Sequence, residues 1–146
     1  MFPKYEHRNT PIYISHRKTL DPCPVRFHSH MEALLLTKGR ARVTVGSAAY
    51  DLQAGDMYLV FPNVPHGIES SDSSAVVLIA DPARLPSYQD LLKSHLPQCP
   101  VLRQGEYPPL YRQFSGGCRN WLTKPRPINR ICSPVIPVHY WENCWV

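Results

Sequence analysis

The chain has 146 residues and a net charge of +5, with 43% hydrophobic and 18% charged residues. This composition is typical of a single folded domain and excludes a disordered chain, and no apolar run approaches a membrane span. The N-terminus has no apolar signal-peptide core and the five cysteines form no CxxC pattern, so we expect a cytoplasmic protein with free thiols and no membrane partner.

The positive charge is unevenly distributed along the chain. Residues 1–114 carry 12 basic and 10 acidic side chains, whereas residues 115–146 carry 4 basic side chains and a single acidic one. The body of the protein is therefore nearly balanced, and no basic stripe with interleaved aromatic residues is present. The charge gives little support for nucleic-acid binding by this chain.

Residues 1–81 have the pattern of short strands separated by turn signals. Arg42 to Val45 alternates polar and apolar side chains, and Gly46-Ser47 follows where a hairpin turn needs a permissive residue. The candidate strands are Pro11–Ser15, Pro24–His30, Glu32–Thr37, Arg40–Val45, Ala48–Leu52, Asp56–Phe61, Gly67–Ser70 and Ala75–Ala80. Many short strands of this kind predict an all-β sandwich or barrel.

The pattern changes to helical after Asp81-Pro82. Ser87 is a suitable cap for a helix that continues through Lys93, and Glu106 to Phe114 has the pattern of a second helix. We therefore predict a helical segment over residues 82–114.

Residues 115–146 have neither strand nor helix periodicity. They contain all three tryptophans and three of the five cysteines. Codons for Cys and Trp begin with TG, and a reading frame shifted by one base would place that TG at the end of a Leu, Met or Val codon. This favours an out-of-frame tail, and the alternative is a genuine but irregular tail.

The residues that indicate chemistry cluster around His28. On a strand, His28, His30 and Glu32 are spaced so that their side chains project from one face. His66, at the end of another candidate strand, could add a third imidazole. Two or three imidazoles and a carboxylate form a ligand set for a first-row transition metal, although the same residues could equally line a polar pocket without one.

Two further residues have a functional interpretation and an ordinary structural alternative. Arg26 could point in the same direction as His28 and pair with an anionic effector, or it could lie exposed at the surface. Tyr58 could offer its ring and hydroxyl to a pocket, or it could pack in the core.

Two motifs resemble those of a known fold family. His28-Ser29-His30, with Glu32 and Gly39 after it, resembles the first cupin motif, and the stretch from Gly55-Asp56 to Pro65-His66 resembles the second. The phrases TKGRARVTVGSAAYDLQAGD and VFPNVPHGI are similar to the N-terminal sensor domain of AraC-family transcription regulators, over about residues 10 to 114.

The resemblance implies a cupin (jelly-roll) β-barrel over residues 1–81 and a dimerisation segment over 82–114. It also implies a small-molecule effector, a homodimer and no enzymatic activity. Such regulators carry a helix-turn-helix domain, which this chain lacks, so we expect no sequence-specific DNA binding by this chain alone. The predicted effector pocket consists of Arg26, His28, His30, Glu32, Tyr58 and His66.

The spacing between the histidines and the glutamate departs from the cupin pattern. Only Met31 separates His30 from Glu32, whereas metal cupins have a longer spacer. This departure favours an organic effector without a cofactor. The competing interpretation is a stand-alone metal-dependent cupin enzyme, a dioxygenase or isomerase, with Fe, Mn, Ni or Zn held by His28, His30, Glu32 and His66.

Overall fold

A computed structural model of the chain describes residues 2–94, 96–97 and 99–106. The strands are β1 (Lys4–Tyr5), β2 (Ile12–Arg17), β3 (Cys23–Phe27), β4 (Met31–Val45), β5 (Ala48–Gln53), β6 (Met57–Val60), β7 (His66–Ala80) and β8 (Val101–Leu102). Between β7 and β8 lie two 3-10 turns, Pro82–Arg84 and Pro86–Tyr88, and the helix α1 (Gln89–Ser94). The predicted all-β architecture is confirmed.

The two longest strands organise the sheet. β4 and β7 pair antiparallel along their whole length, from Met31 opposite Ala80 to Val45 opposite His66. One half of this ribbon is extended by β2, β6 and β8, and the other half by β3 and β5, while β1 pairs parallel with β3. The hydrogen-bonded path from β1 to β8 does not close, so the predicted barrel is an open sheet folded onto itself.

Both long strands bend in the middle, where their side chains change face. Leu34 and Leu36 are buried before the bend in β4, and Ala41 and Val43 are buried after it, so the inward positions shift from even to odd numbers. The pairing register shifts at the same place. The sequence predicted two separate strands for β4 and two for β7; a β-bulge instead joins each pair into one bent strand.

The core lies between the two halves of the folded sheet. Its buried members come from both halves, so the halves face each other across one apolar interior. They are Leu20, Leu34, Leu36, Ala41, Val43, Leu52, Tyr58, Val60, Ile68, Ala75, Val77, Ile79 and Val101.

The start of the predicted helical segment packs on the outside of the sheet. Leu92 of α1 is buried against Leu59 and Phe61, which point away from the main core. The helix begins at Gln89, two residues after Ser87, because the chain forms 3-10 turns before it. No helix among the described residues is long and apolar enough to cross a membrane. Residues 107–146, with most of the second predicted helix and the tail, lie outside the described residues.

Candidate functional site

The predicted site lies at a corner of the folded sheet, where several strands begin or end. Arg26, near the end of β3, is the register partner of His66, the first residue of β7. Glu32 is the second residue of β4, and Tyr58 lies in the neighbouring β6. The fold therefore brings side chains from β3, β4, β6 and β7 to one place.

Glu32 is the centre of a buried polar cluster. The Tyr58 hydroxyl donates a hydrogen bond of 2.6 Å to Glu32 Oε1. The other carboxylate oxygen, Oε2, lies 3.3 Å from His28 Nε2 and 3.6 Å from His66 Nε2. It also lies 3.4 Å from the Arg26 guanidinium. The cluster thus joins one carboxylate to three nitrogenous groups and a phenol, with Glu32, His28 and His66 each about 1% exposed.

Backbone carbonyls fix the orientation of the two histidine rings. His28 Nδ1 lies 3.0 Å from the His30 carbonyl, and His66 Nδ1 lies 2.9 Å from the Val64 carbonyl. A carbonyl only accepts, so each Nδ1 carries the hydrogen, and a neutral imidazole then presents the Nε2 lone pair to Glu32. His66 Nε2 is a buried atom with no hydrogen-bond partner among the described residues.

This arrangement fits either a proton or a metal cation between the imidazoles and the carboxylate. Two lone pairs that face a carboxylate oxygen repel it, unless a proton on Nε2 or a cation lies between them. One ligand atom from each of His28, Glu32 and His66 can be chosen so that all three lie within 4.8 Å of one another. A histidine that donates its other ring N–H to a carbonyl is also the usual form of a metal ligand.

Burial and charge act on Glu32 in opposite directions. Burial opposes its ionisation, but the His28 and His66 rings, when they carry a proton on Nε2, and the charge of Arg26 outweigh burial, and they hold the pKa of Glu32 well below its ordinary value. Burial, followed by the charge and hydrogen bonding of Glu32, raises the pKa of Tyr58 well above its ordinary value. Tyr58 therefore stays a neutral donor to a charged carboxylate.

His30 does not join the cluster. β3 ends at Phe27, and a bend at Ser29-His30 precedes β4, so the expected common strand face for His28, His30 and Glu32 is not formed. His30 Nε2 lies 3.2 Å from the Thr10 carbonyl and Nδ1 lies 3.3 Å from the Ser29 hydroxyl. His30 is buried, but its imidazole faces the N-terminal segment instead of Glu32.

That N-terminal segment contributes two residues that sequence reasoning missed. The Glu6 carboxylate lies 2.8 Å from Arg26 Nε and 3.0 Å from an Arg8 nitrogen. The Glu6 amide also donates a hydrogen bond to the Phe27 carbonyl, which anchors the segment beside β3. No sequence signal pointed to Glu6 or Arg8, because neither belongs to a motif and Glu6 meets Arg26, which lies twenty residues further along the chain.

Concave surfaces of two different sizes can be compared with the position of the cluster. A cavity of about 150 Å³ beside the cluster is lined by Glu6, His7, Arg8, Asn9, Thr10, Tyr13 and Ile79. A wider groove of about 800 Å³ is lined by residues 40–42, 51–53, 69–71 and 103. None of the predicted site residues lines either surface, but two residues of the smaller cavity touch the site: Glu6 contacts Arg26, and the Thr10 carbonyl contacts His30.

Comparison with protein families assigns the chain. The model of the AraC-like ligand binding domain matches residues 11–130. The match spans most of the sequence, and the chain belongs to this family. The predicted family and its cupin-type, all-β fold are thereby confirmed. No curated protein matches the chain.

Solved structures with similar folds are cupins of low sequence identity. An oxalate decarboxylase variant from Bacillus subtilis is 23% identical with a TM-score of 0.41, covering 49% of this chain and 21% of its own. A cupin protein from Bacteroides fragilis is 20% identical with a TM-score of 0.40, covering 48% and 64%. An RmlC-like cupin from Methanocaldococcus jannaschii is 22% identical with a TM-score of 0.43, covering 54% and 80%. This chain therefore spans about a fifth (21%) of the oxalate decarboxylase that it matches.

Proposed function

We propose that the chain is the small-molecule effector-sensing domain of an AraC-type transcription regulator. The observation that carries the proposal is the buried cluster around Glu32, which lies in a member of a ligand-binding domain family. Buried charges are costly and rarely add stability over apolar packing, so a cluster of this size favours a functional role.

The cluster offers an effector several kinds of polar contact. Arg26 can pair with an anion, Tyr58 can donate or accept, and the two imidazoles can do either according to their protonation. The cavity lined by residues 6–10 with Tyr13 and Ile79 adjoins the cluster, because Glu6 of its lining contacts Arg26. In this proposal the effector enters there and exchanges contacts with the Glu32 cluster.

The proposed class of regulator also implies an oligomeric state, a location in the cell and a DNA-binding behaviour. We infer a homodimer that uses the segment over residues 82–114, a cytoplasmic location, and no sequence-specific DNA binding by this chain alone. Weak, salt-sensitive association with any duplex is the expected result of a DNA-binding assay. Tight binding that distinguishes one duplex from its scrambled sequence at physiological salt would contradict that inference.

The sensing function is tested by ligand screening on matched variants. A library of sugars, organic acids and amino-acid derivatives is screened by thermal shift, and each hit is measured by calorimetry. We expect a hit whose affinity falls at least tenfold in His66→Ala and is unchanged in His16→Ala. His16 is an exposed histidine on β2, outside the cluster. If every hit binds both variants with equal affinity, the Glu32 cluster is not part of the effector site.

A second candidate function is supported by the ligand geometry. His28, Glu32 and His66 have the residue types and the spacing to hold a divalent transition metal, and the unpartnered Nε2 of His66 is a free ligand atom. When bound, such a metal would supply a Lewis acid for an enzymatic reaction. His30, which the sequence analysis included in this ligand set, lies against Thr10 and would not take part.

Metal analysis separates the two candidate functions. The sensor proposal expects well under one equivalent of transition metal in the purified protein. About one equivalent of iron, manganese, nickel or zinc, retained in His16→Ala and lost in His66→Ala, would favour the enzyme.

A further inference from the structure

Glu6 lies between two arginines in the manner of a bound carboxylate ligand. Its Oε1 is 3.0 Å from Arg8, and its Oε2 is 2.8 Å from Arg26 Nε. Guanidinium groups present planar sets of donors that match a carboxylate, and such charge-assisted hydrogen bonds are among the strong ones in proteins. The two arginines thus form a carboxylate clamp, which Glu6 fills.

The clamp is continuous with the Glu32 cluster. The Arg26 guanidinium contacts both carboxylates, with Glu6 on one side and Glu32 at 3.4 Å on the other. The Glu32 side chain is 1% exposed and is also held by Tyr58, whereas the Glu6 side chain is 38% exposed. Glu6 is therefore the carboxylate that can leave the clamp without opening the core.

The clamp also has an unused donor and space beside it. Arg8 Nε is buried and has no hydrogen-bond partner among the described residues. Glu6, Arg8, Tyr13 and Ile79 line the adjoining cavity, whose volume is about 150 Å³. A cavity of about this volume is large enough for a benzene-sized molecule. The donor and the space together suit a short organic acid, with its carboxylate on the arginines and its apolar part against Tyr13 and Ile79.

We propose that the effector is a small organic carboxylate that takes the place of the Glu6 side chain on Arg8 and Arg26. Glu6 is then a built-in competitor that occupies the clamp in the absence of effector. This inference rests on the proposed sensing function and names the chemical class of its ligand. Binding releases the Glu6 carboxylate from the guanidinium that touches Glu32, and it thereby couples the entry cavity to the buried cluster.

The first test is rescue of Glu6→Ala by a free carboxylate, with Glu69→Ala as the control. Glu69 is an exposed acid on β7 outside the clamp. The melting temperature of the full chain is measured in sodium acetate and in sodium chloride at equal ionic strength. Acetate at about ten times its dissociation constant should raise the melting temperature of Glu6→Ala by about 3 °C over chloride. The control should not respond. An equal rise in the melting temperature of both variants would show that acetate does not act at the clamp, and it would overturn the proposal.

The second test uses ligands of the size that the cavity admits. Calorimetry with butyrate and with butyramide, its neutral counterpart, is performed on the wild-type chain, Glu6→Gln and Glu69→Gln. Glu6→Gln should bind butyrate about tenfold more tightly than the wild-type chain, because the competitor has lost its charge. Its affinity for butyramide should equal that of the wild-type chain. Equal butyrate affinity in Glu6→Gln and Glu69→Gln would overturn the proposal.

These outcomes are distinct from a failure of the sensing function itself. If neutral compounds bind at the Glu32 cluster while acetate fails to rescue Glu6→Ala, the sensor stands and the carboxylate class is wrong. If no effector binds the cluster, the sensor proposal is overturned, and the rescue experiment still decides whether the clamp accepts carboxylates.

Discussion

The hydrogen bond from Tyr58 to Glu32 is the shortest contact that Glu32 makes in the cluster, at 2.6 Å. It matters because a carboxylate removed from water depends on donors that the protein supplies. Arg26 and the two histidines all approach the other carboxylate oxygen at 3.3 Å or more. Tyr58 is therefore the one described side chain that donates to Glu32 Oε1, and it fixes the rotation of the carboxylate.

Replacing Tyr58 with phenylalanine should destabilise the fold. Loss of a donor to a buried charged acceptor is expected to cost about 2 kcal/mol in the free energy of unfolding, as measured by urea denaturation. The matched control is Tyr50→Phe, because Tyr50 is half-buried and its hydroxyl makes no hydrogen bond among the described residues. Equal losses in the two variants would mean that the Tyr58 hydroxyl has no special role.

At this scale the sequence predicted the members of the cluster better than their geometry. The motif positions of His28, Glu32, Tyr58 and His66 were sufficient to select side chains that the fold brings together. The orientation of His30 was wrong, because alternation along a strand applies only while the chain stays extended, and here the chain bends before β4. Glu6 could not be found, because its role depends on a segment packing beside β3 that no local pattern encodes.

Among the elements, the bend in the β4–β7 ribbon determines whether the sheet can fold around a core. Gly39 has a φ of +80°, and a Cβ added there would lie 2.5 Å from the Asp72 carbonyl oxygen. The sequence indicated a break at this point, and the candidate strands ended there. It did not reveal that the chain continues in the same ladder, because a bulge and a turn both use glycine.

Replacing Gly39 with alanine should lower the free energy of unfolding, because the added Cβ approaches the Asp72 carbonyl oxygen too closely. The control is Gly46→Ala, since Gly46 has a φ of +61° but no atom within 4 Å of an added Cβ. The control should lose about 1 kcal/mol from the left-handed conformation alone, and Gly39→Ala should lose about 3 kcal/mol, since it adds a steric clash. Thermal and urea unfolding measure both, and equal costs would show that Asp72 simply moves aside.

A second element, the turn before β6, holds the chain after β8 in place. Asp56 is buried and accepts hydrogen bonds from the Gln53 and Gln104 amides, at 3.1 Å each, and from Arg103, at 2.8 Å. Burial opposes its ionisation, but these three hydrogen bonds and the charge of Arg103 outweigh burial and lower the pKa of Asp56. A depressed folded pKa contributes stability above the unfolded pKa and loses it as the pH falls toward the folded one.

Asp56→Asn should therefore cost stability in a pH-dependent way. At pH 7 we expect a loss of about 2 kcal/mol, because charge-assisted hydrogen bonds become neutral ones. The difference from the wild-type protein should shrink below about pH 4, where aspartate becomes protonated in the unfolded chain. Urea unfolding from pH 7 to pH 3 measures it. Asp51→Asn, at an 80% exposed position, should change stability by less than about 0.5 kcal/mol. A constant difference between wild type and Asp56→Asn across this range would contradict the assignment.

Considered as a whole molecule, the described part is one folded unit. The segment predicted to be helical contains only one short helix among its described residues and then returns to the sheet as β8, where Val101 joins the main core, because Val101 and Leu102 pair with β6. The sequence set a boundary between residues 81 and 82, and the secondary structure does change there. However, Leu92 is buried against Leu59 of β6 and Phe61 directly after it, so the described start of the helical segment packs on a part of the sheet that precedes it. Periodicity marked the change of element, but it carried no information on which face of the sheet the helix would cover.

The tail gives the prediction that concerns the full length of the chain. The main core of the described residues is drawn from Leu20 to Val101, and residues 115–146 lie outside the description. If that tail is out of frame, a chain that ends at Phe114 should unfold within about 0.5 kcal/mol of the full chain. A chain with the alternative frame restored should associate more strongly with itself, because its helical pattern continues past Phe114.

Three chains are compared by thermal melting and by sedimentation: one that ends at Phe114, the sequence as it stands, and the frame-restored form. Truncation at Phe114 is a stringent test, because the family match continues to residue 130 and the cut therefore removes part of the matched sequence. A melting temperature that falls by many degrees on truncation would make the tail a native part of the fold. Unchanged melting together with stronger self-association of the frame-restored chain is the result that we expect. Such a result would place the dimer-forming sequence in the alternative frame.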